Sequence, residues 1–131
     1  MKKITSLLFC FLVLSAFSQS KSTGDISLGS NFTANFTLNN DTSKVTLVLS
    51  GPSDRWFGLG LGVQSGFGMQ DGDVLVYTTA LSDRNYVGYA APATDSSQNW
   101  STVSNTVATG VRTLTLERDL TNSDSNDFQL P

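Results

Sequence analysis

Apolar and polar residues alternate with a period of two along much of the chain. Residues 32–38 place Phe, Ala or Leu at every second position with Thr or Asn between them, and residues 45–49 continue with Val and Leu. This period is typical of strands that turn one face toward a core. The Asn-Asn-Asp-Thr-Ser segment between the two stretches is rich in turn-forming residues, so we expect a hairpin.

Further short strands are predicted downstream, and turn residues separate them. The expected strands are Trp56–Gly62, Asp73–Tyr77, Asn85–Ala90, Trp100–Val107 and Val111–Glu117. We expect turns near Ser82-Asp83 and Thr109-Gly110, and a polar loop over residues 92–99. No segment of helical period reaches about 10 residues. The sequence therefore predicts an all-β fold, either a sandwich or a barrel.

The predicted strand Trp56–Gly62 alternates large apolar residues with glycine. Glycine inside a strand gives up side-chain packing, so its repetition indicates close approach of another group or a ligand. We expect Trp56 to fill the core beside these glycines. Trp100 follows a polar loop, so we expect it to be the more exposed ring and a candidate platform for stacking a ligand.

The first 18 residues form a segment of their own. Lys2 and Lys3 precede an apolar run that ends at Phe17, and Ala16-Phe17-Ser18 resembles a signal-peptidase site. The run is shorter than the about 20 residues that span a bilayer. We therefore expect a signal peptide over 1–18, a flexible polar lead-in over 19–25 and a single secreted domain over 26–131.

Charge and cysteine content narrow the classes of function. Removal of residues 1–18 takes two of the eight basic residues and none of the eleven acidic ones, so the mature 113 residues carry a net charge of −5. This balance argues against nucleic acid and gives no attraction to an anionic membrane. The single cysteine, Cys10, leaves with the signal, so the secreted form has no disulfide and depends on apolar burial, sheet hydrogen bonds or a bound ligand.

The chain contains no histidine. Its absence removes the commonest general base, the usual partner of nucleophilic Ser and Cys, and the usual zinc and haem ligand. Hydrolysis by paired carboxylates is disfavoured as well, because no motif pairs Asp71, Asp73 or Asp95. We therefore expect a binding domain and not an enzyme.

Four motifs follow one another in a recognisable order. They are Trp56–Gly62, the segment Met69-Gln70-Asp71-Gly72-Asp73-Val74, the Leu-x-Arg element that ends at Arg118, and trailing aspartates at Asp124 and Asp127. Together they resemble the DOMON family, which includes the N-terminal region of dopamine beta-monooxygenase and the cytochrome domain of cellobiose dehydrogenase. The resemblance covers residues 26–128.

The family resemblance implies an antiparallel immunoglobulin-like β-sandwich that binds haem b or a carbohydrate. In haem-binding members a methionine and a late histidine are the axial ligands; Met69 falls on the first position and no residue falls on the second. Haem would imply extracellular electron transfer with a redox partner or a membrane b-type cytochrome. The alternative is a carbohydrate-binding or adhesion module without redox activity, with Trp100 or the tyrosines Tyr86 and Tyr89 as stacking surfaces.

In the family the late arginine and aspartates precede another strand, and the histidine lies in or beyond that region. We therefore expect the domain to be incomplete at its C-terminus. A sandwich without its closing strand would expose an unpaired edge.

The remaining polar motifs are expected to be structural. Arg118 follows an alternating strand, and the simplest role for it is an ion pair with a nearby aspartate. The segments 71–73 and 119–127 are acidic but lack the oxygen count or the pattern of a calcium loop, so we interpret both as turns.

Four Asn-x-Ser/Thr triplets are candidate glycosylation sites in an exported eukaryotic chain. Their acceptor residues are Asn31, Asn35, Asn40 and Asn99. Asn31 and Asn35 are expected on one strand face, opposite Phe32 and Phe36, where both would point to solvent.

Overall fold

The computed structural model describes residues 19–63 and 72–130. The predicted signal segment, residues 1–18, and Met69 therefore lie outside the described residues. Within the described part the chain forms ten strands and no helix. The strands are β1 (Ser20–Ser22), β2 (Ile26–Gly29), β3 (Phe32–Asn39), β4 (Lys44–Pro52), β5 (Phe57–Leu61), β6 (Asp73–Tyr77), β7 (Leu81–Asn85), β8 (Ala93–Thr94), β9 (Ser101–Ala108) and β10 (Val111–Asp119).

The first sheet has the strand order β1-β3-β4-β10-β9, and β2 also pairs with β3. All of its pairings are antiparallel. The predicted hairpin is confirmed as β3–β4. Its turn is held by the side-chain oxygen of Asn39, which accepts hydrogen bonds from the backbone N–H groups of Asp41 and Thr42 at 3.0 and 3.1 Å. The hairpin β9–β10 turns at Thr109-Gly110, both with positive φ, as predicted.

The second sheet has the strand order β5-β6-β7-β8 and is also antiparallel. The predicted strand Asn85–Ala90 is wrong, as is the turn near Ser82-Asp83. The strand is β7, Leu81–Asn85, and the turn precedes it at residues 78–80. The polar pair at 82–83 misled the prediction, because Asp83 is buried and points into the molecule instead of to solvent.

The two sheets face each other across one hydrophobic core, so the expected all-β antiparallel sandwich is confirmed. Phe32 of the first sheet meets Phe57 of the second edge-to-face, with ring centroids 4.8 Å apart. The buried core residues are Ala34, Val45, Leu47, Leu49, Leu114 and Leu116 from the first sheet, Phe57, Leu61, Leu75 and Tyr77 from the second, and Trp100. Removal of these apolar surfaces from water is the main stabilising contribution.

The segment 19–25 differs from the expected flexible lead-in. Its residues Ser20–Ser22 form β1, which pairs with Thr37–Asn39 of β3. The backbone N–H of Thr23 extends this pairing to the carbonyl of Phe36 at 2.9 Å. All three β1 residues are exposed, so the segment carries no apolar period that could have revealed the strand.

At the opposite edge of the first sheet lies β9, whose eight residues are all exposed. Val103 and Val107 are 60% and 54% exposed. Among residues 19–63 and 72–130, β9 pairs only with β10. Its outer edge therefore presents unpaired backbone groups within this part of the chain.

After β10 the chain leaves the sheet and crosses to the second sheet. The ring of Phe128 lies against Gly62, where a side chain would collide with it and where φ is +68°. The backbone N–H of Phe128 donates to Asp73 Oδ2 at 3.2 Å. This crossing brings the residue before it, Asp127, against β6 and β7.

Candidate functional site

Three carboxylates from distant parts of the chain meet beside the second sheet. Asp73 is the first residue of β6, Asp83 is the middle residue of β7, and Asp127 follows β10. They are only 1%, 1% and 4% exposed. One carboxylate oxygen from each lies within 4.8 Å of the others. We call these three residues the carboxylate cluster.

Strand register explains why Asp73 and Asp83 share a face. Asp73 stands opposite Asn85, and Asp83 stands opposite Leu75. Residues two apart on a strand point the same way, so Asp73 and Asp83 are diagonal neighbours on the buried face. Asp127 approaches this pair from the C-terminal segment and not from a strand.

Arg118 provides the positive charge next to the cluster. Its Nη1 lies 3.3 Å from Asp127 Oδ2, and both side chains are almost fully buried. Its Nη2 donates a short hydrogen bond to the carbonyl of Phe128. The guanidinium also lies over the ring of Trp100, 5.0 Å from the centroid, in cation–π geometry. The predicted ion pair between Arg118 and an aspartate is thus confirmed.

Each carboxylate of the cluster has one satisfied oxygen and one unsatisfied oxygen. Asp73 Oδ2 accepts from Phe128, and Asp83 Oδ2 accepts from the backbone N–H of Asn99 at 3.3 Å. Asp127 Oδ2 accepts from Asn99 Nδ2 at 2.8 Å and from Asn122 Nδ2. The three Oδ1 atoms are buried and have no hydrogen-bond partner in the described residues. Leaving such atoms unpaired is costly, so these oxygens indicate a site for a proton or a cation.

Burial and mutual repulsion change the ionisation of the cluster. Burial raises the pKa of Asp83 to about 7, and the negative charges of Asp73 and Asp127 add to the effect. Burial also raises the pKa of Asp73, against the opposing effect of its hydrogen bond from Phe128. The cluster therefore resists holding its full negative charge without a compensating group.

Asp95 flanks the cluster but behaves differently. The backbone N–H of Ser97 and Nδ2 of Asn85 donate to it at 3.0 and 2.8 Å. The bond from Ser97 lowers the pKa of Asp95. An open polar cavity beside it is lined by Asn99, Asn122 and Asp124, among others. Asn99 and Asn122, which line this cavity, both donate to Asp127 of the cluster.

A second candidate site lies on the outer face of β5. In this strand Phe57 and Leu61 are buried, whereas Gly58 and Gly60 are exposed. Trp56 shares the outward direction with the glycines and is 66% exposed. A methyl group at Gly58 would come within 2.6 Å of the Trp56 ring, so the ring lies directly over this glycine. The glycines do permit close approach, and the approaching group is the chain's own aromatic ring.

An open groove of about 290 Å³ runs beside the Trp56 ring. Its lining residues are Leu28, Gly29, Ser30, Phe32, Trp56 and Gly58. None of them is charged. At the next glycine, Gly60, the hydroxyl of Tyr86 would lie 3.2 Å from an added methyl group. Two aromatic side chains therefore lie over the same outer face, two strand positions apart.

The predicted roles of the two tryptophans are reversed in the structure. Trp100, the expected stacking platform, is 5% exposed and belongs to the core, so its ring is not available to a ligand. The polar loop before it misled the prediction, because Gln98 and Asn99 bond inward to Asp83. Trp56, the expected core ring, is exposed. The signal was present in the period of two, which places Trp56 with the outward glycines. Of the tyrosines proposed as stacking surfaces, Tyr89 is 79% exposed.

The acidic motifs differ from expectation in their burial. Asp73 begins the predicted strand Asp73–Tyr77 but is 1% exposed, and Asp127 lies in the expected turn region but is 4% exposed instead of solvated. Asp71 lies outside the described residues. Sequence reasoning missed Asp83 as a site residue altogether. Its only signal was an acidic residue at an inward position of a strand, and the misplaced strand concealed it.

The candidate glycosylation residues fall in different environments. Asn31 and Asn40 are exposed in turns. Asn31 was expected to share a strand face with Asn35. It instead precedes β3, with a φ of 65°, so this expectation is wrong. The amide of Asn35 bonds to Asp25 at 2.9 Å. Asn99 donates to buried Asp127, so a glycan there would disturb the carboxylate cluster.

Haem b requires axial ligands such as histidine or methionine. The chain has no histidine, and Met69 lies outside residues 19–63 and 72–130. The described residues therefore include neither of these two ligands. Haem binding stays a prediction that rests on Met69 and the family resemblance.

Comparisons with protein-family models, curated proteins and solved structures found no match. The DOMON resemblance therefore stays a prediction. No helix in the described part of the chain is long and apolar enough to cross a bilayer.

Proposed function

We propose that this chain is a secreted, non-catalytic binding module that takes up a carbohydrate on the outer face of β5. The observation that carries the proposal is the exposed Trp56 ring, fixed over Gly58 beside an open groove. Large exposed aromatic rings in a groove mark binding surfaces in soluble proteins. The Trp56 side chain is 66% exposed, so its ring is available for contact with a ligand.

The chemistry of the groove favours a neutral, amphipathic ligand. Its lining has apolar rings, two glycines and the hydroxyl-bearing residue Ser30, without any charge. Sugar rings present apolar C–H faces that stack on aromatic rings, and hydroxyl groups that pair with polar groups at the rim. Binding sites commonly combine an apolar surface with a few orienting polar groups. Tyr86 supplies a further hydroxyl beside Gly60.

A screen of soluble glycans and insoluble polysaccharides tests this proposal. The wild-type protein is expected to bind at least one of them, and Trp56→Ala is expected to weaken that binding roughly a hundredfold, as for a central aromatic anchor. Tyr89→Ala is the matched control, because it removes an exposed aromatic ring outside the groove lining. If the wild-type protein bound none of the glycans, or if Tyr89→Ala instead of Trp56→Ala lost binding, the proposal would be contradicted.

Haem addition separates this proposal from the haem prediction. Because the proposal assigns no haem to this chain, no Soret band is expected on addition of haem b to the purified secreted protein. A Soret band at one haem per chain that disappears in Met69→Leu would contradict it and support an axial role for Met69.

Export is part of the proposal, because the carbohydrate would be met outside the cell. Intact-mass analysis of the secreted protein is expected to place the new N-terminus at Gln19. A secreted chain that keeps residues 1–18 would contradict the predicted cleavage.

A further inference from the structure

We infer that Asp73, Asp83 and Asp127 together bind one divalent cation, with calcium as the favoured ion. The ion would fasten the C-terminal segment to β6 and β7. This site lies apart from the groove lining, and the inference does not depend on the proposed carbohydrate binding.

The spacing of the carboxylate oxygens suits a shared ion. Calcium binds oxygens at about 2.3–2.6 Å, so two ligands on opposite sides of one ion lie roughly 5 Å apart. One oxygen from each aspartate lies within 4.8 Å of the other two. The Oδ1 atoms of all three aspartates are buried without a hydrogen-bond partner among the described residues. These unpaired oxygens are the second observation, besides the clustering of acids, that points to a ligand.

The charge balance around the cluster also favours a cation. Three carboxylates face one guanidinium, that of Arg118, which leaves two negative charges when all are ionised. Arg118 is already committed to Asp127 and to the carbonyl of Phe128. A buried charge without compensation is strongly unfavourable. A divalent ion would compensate both charges at once.

The donor set selects a hard cation. All three candidate ligands are carboxylates, and the chain has no histidine to favour zinc or another transition metal. Calcium accepts six to eight oxygens in irregular geometry, whereas magnesium demands a near-ideal octahedron at shorter distances. Asn85 stands opposite Asp73, and its buried side-chain oxygen has no partner in the described residues. The amides of Asn99 and Asn122 orient Asp127 from behind, as outer groups do around metal ligands.

A proton shared between Asp73 and Asp83 is the competing account of the same cluster. It would satisfy two of the unpaired oxygens without any ion. The two accounts differ near neutral pH in the response to calcium, because only a cation site gains stability from the ion. They also differ for Asp83→Asn, whose amide resembles the protonated carboxyl and preserves the fold while removing a ligand charge.

Thermal unfolding of the full secreted chain in chelator and in added calcium is the first test. Wild type is expected to gain about 10 °C at calcium near a hundred times its dissociation constant, with a smaller gain in magnesium. Asp83→Asn is expected to lose at least tenfold in calcium affinity. Asp54→Asn is the control, because Asp54 is an exposed acidic residue outside the carboxylate cluster. Absence of a calcium shift in wild type, or an unchanged shift in Asp83→Asn, would overturn the inference.

Terbium luminescence locates the ion and does not depend on a cluster variant that folds. Terbium replaces calcium and emits when a nearby tryptophan is excited. Trp100 lies under Arg118, next to the cluster, whereas Trp56 lies on the outer face of β5. The sensitised emission is expected to persist in Trp56→Phe and to fall at least fivefold in Trp100→Phe. The reverse pattern, or no saturable emission in wild type, would overturn the inference.

Discussion

At the scale of single residues, Gly58 is as important to the proposed groove as Trp56. The ring occupies the space that a side chain at position 58 would fill. In most strands this glycine would only weaken packing. Here its absence of a side chain determines where the aromatic platform lies.

Gly58→Ala is therefore expected to displace the Trp56 ring without removing it. Glycan affinity should fall at least tenfold, whereas the thermal midpoint should change by only a few degrees, because position 58 is exposed. Titration calorimetry and a thermal melt measure the two effects. An alanine variant with wild-type affinity would show that the ring position is not required.

The buried pair Arg118–Asp127 carries a second prediction at this scale. Arg118→Ala leaves Asp127 buried without its counter-charge, so the free energy of unfolding is expected to fall by about 3–5 kcal/mol. Lys44→Ala breaks a pair with Asp119 at 2.8 Å whose side chains are 39% and 68% exposed, and it should lower the free energy of unfolding much less. Urea denaturation compares them. Equal costs would mean that burial does not distinguish the pairs.

Individual site residues were the hardest part to predict from the sequence. The ion pair of Arg118 could be predicted from its chemistry, because an arginine at the end of a strand commonly pairs with a nearby carboxylate. The burial of Trp100 did not, since it depends on a polar loop that folds inward through Gln98 and Asn99. The cluster brings together residues that are far apart in the sequence, such as Asp73 and Asp127. A local sequence pattern cannot predict that such distant residues meet in the fold.

At the scale of strands, prediction succeeded where one face is buried and failed where it is not. The strands β3, β4 and β10 alternate cleanly because each lays one face on the core. β1 has no buried residue, so its pairing with β3 leaves no apolar period. β7 carries a buried aspartate where an apolar residue is the norm, and this displaced the predicted strand by several residues.

The prediction at the scale of strands concerns association through the edge strand β9. Its eight residues include no charge, proline or glycine, and natural sheets usually protect such edges with these features. Val103→Lys places a charge on an exposed position and is expected to reduce concentration-dependent association without lowering the thermal midpoint by more than about 2 °C. Light scattering over a concentration series measures this effect. Equal scattering of wild type and variant would show that the β9 edge does not drive association.

At the scale of the whole molecule, stability depends on the core and on the crossing of the C-terminal segment. Cys10 is the single cysteine of the chain, so no intrachain disulfide supports this crossing. Contacts of Phe128 with Gly62 and Asp73, and of Asp127 with Arg118, connect it to both sheets. The carboxylate cluster thus lies where the C-terminal segment contacts the two sheets.

The cluster predicts how stability depends on pH when no cation is present. The folded-state pKa of Asp83 is raised to about 7 from an ordinary 3.8 because of burial. Between these values the folded state keeps a proton that the unfolded state has released, so stability is greatest below the lower value and is lost as pH rises through the higher one. In chelator the free energy of unfolding should therefore fall from about pH 5 to pH 8. Asp83→Asn should flatten this slope, and an equally steep slope in that variant would assign it to other groups.

The carbohydrate platform at Trp56 is the central claim, and acrylamide quenching of tryptophan fluorescence tests it most directly. The chain has two tryptophans, so Trp100→Phe leaves Trp56 as the single reporter. With a saturating glycan from the screen, the quenching constant of this variant is expected to fall at least twofold, because the sugar covers a ring that is 66% exposed in the free protein. Full glycan binding with unchanged quenching of Trp56 would contradict the account and place the ligand elsewhere on the molecule.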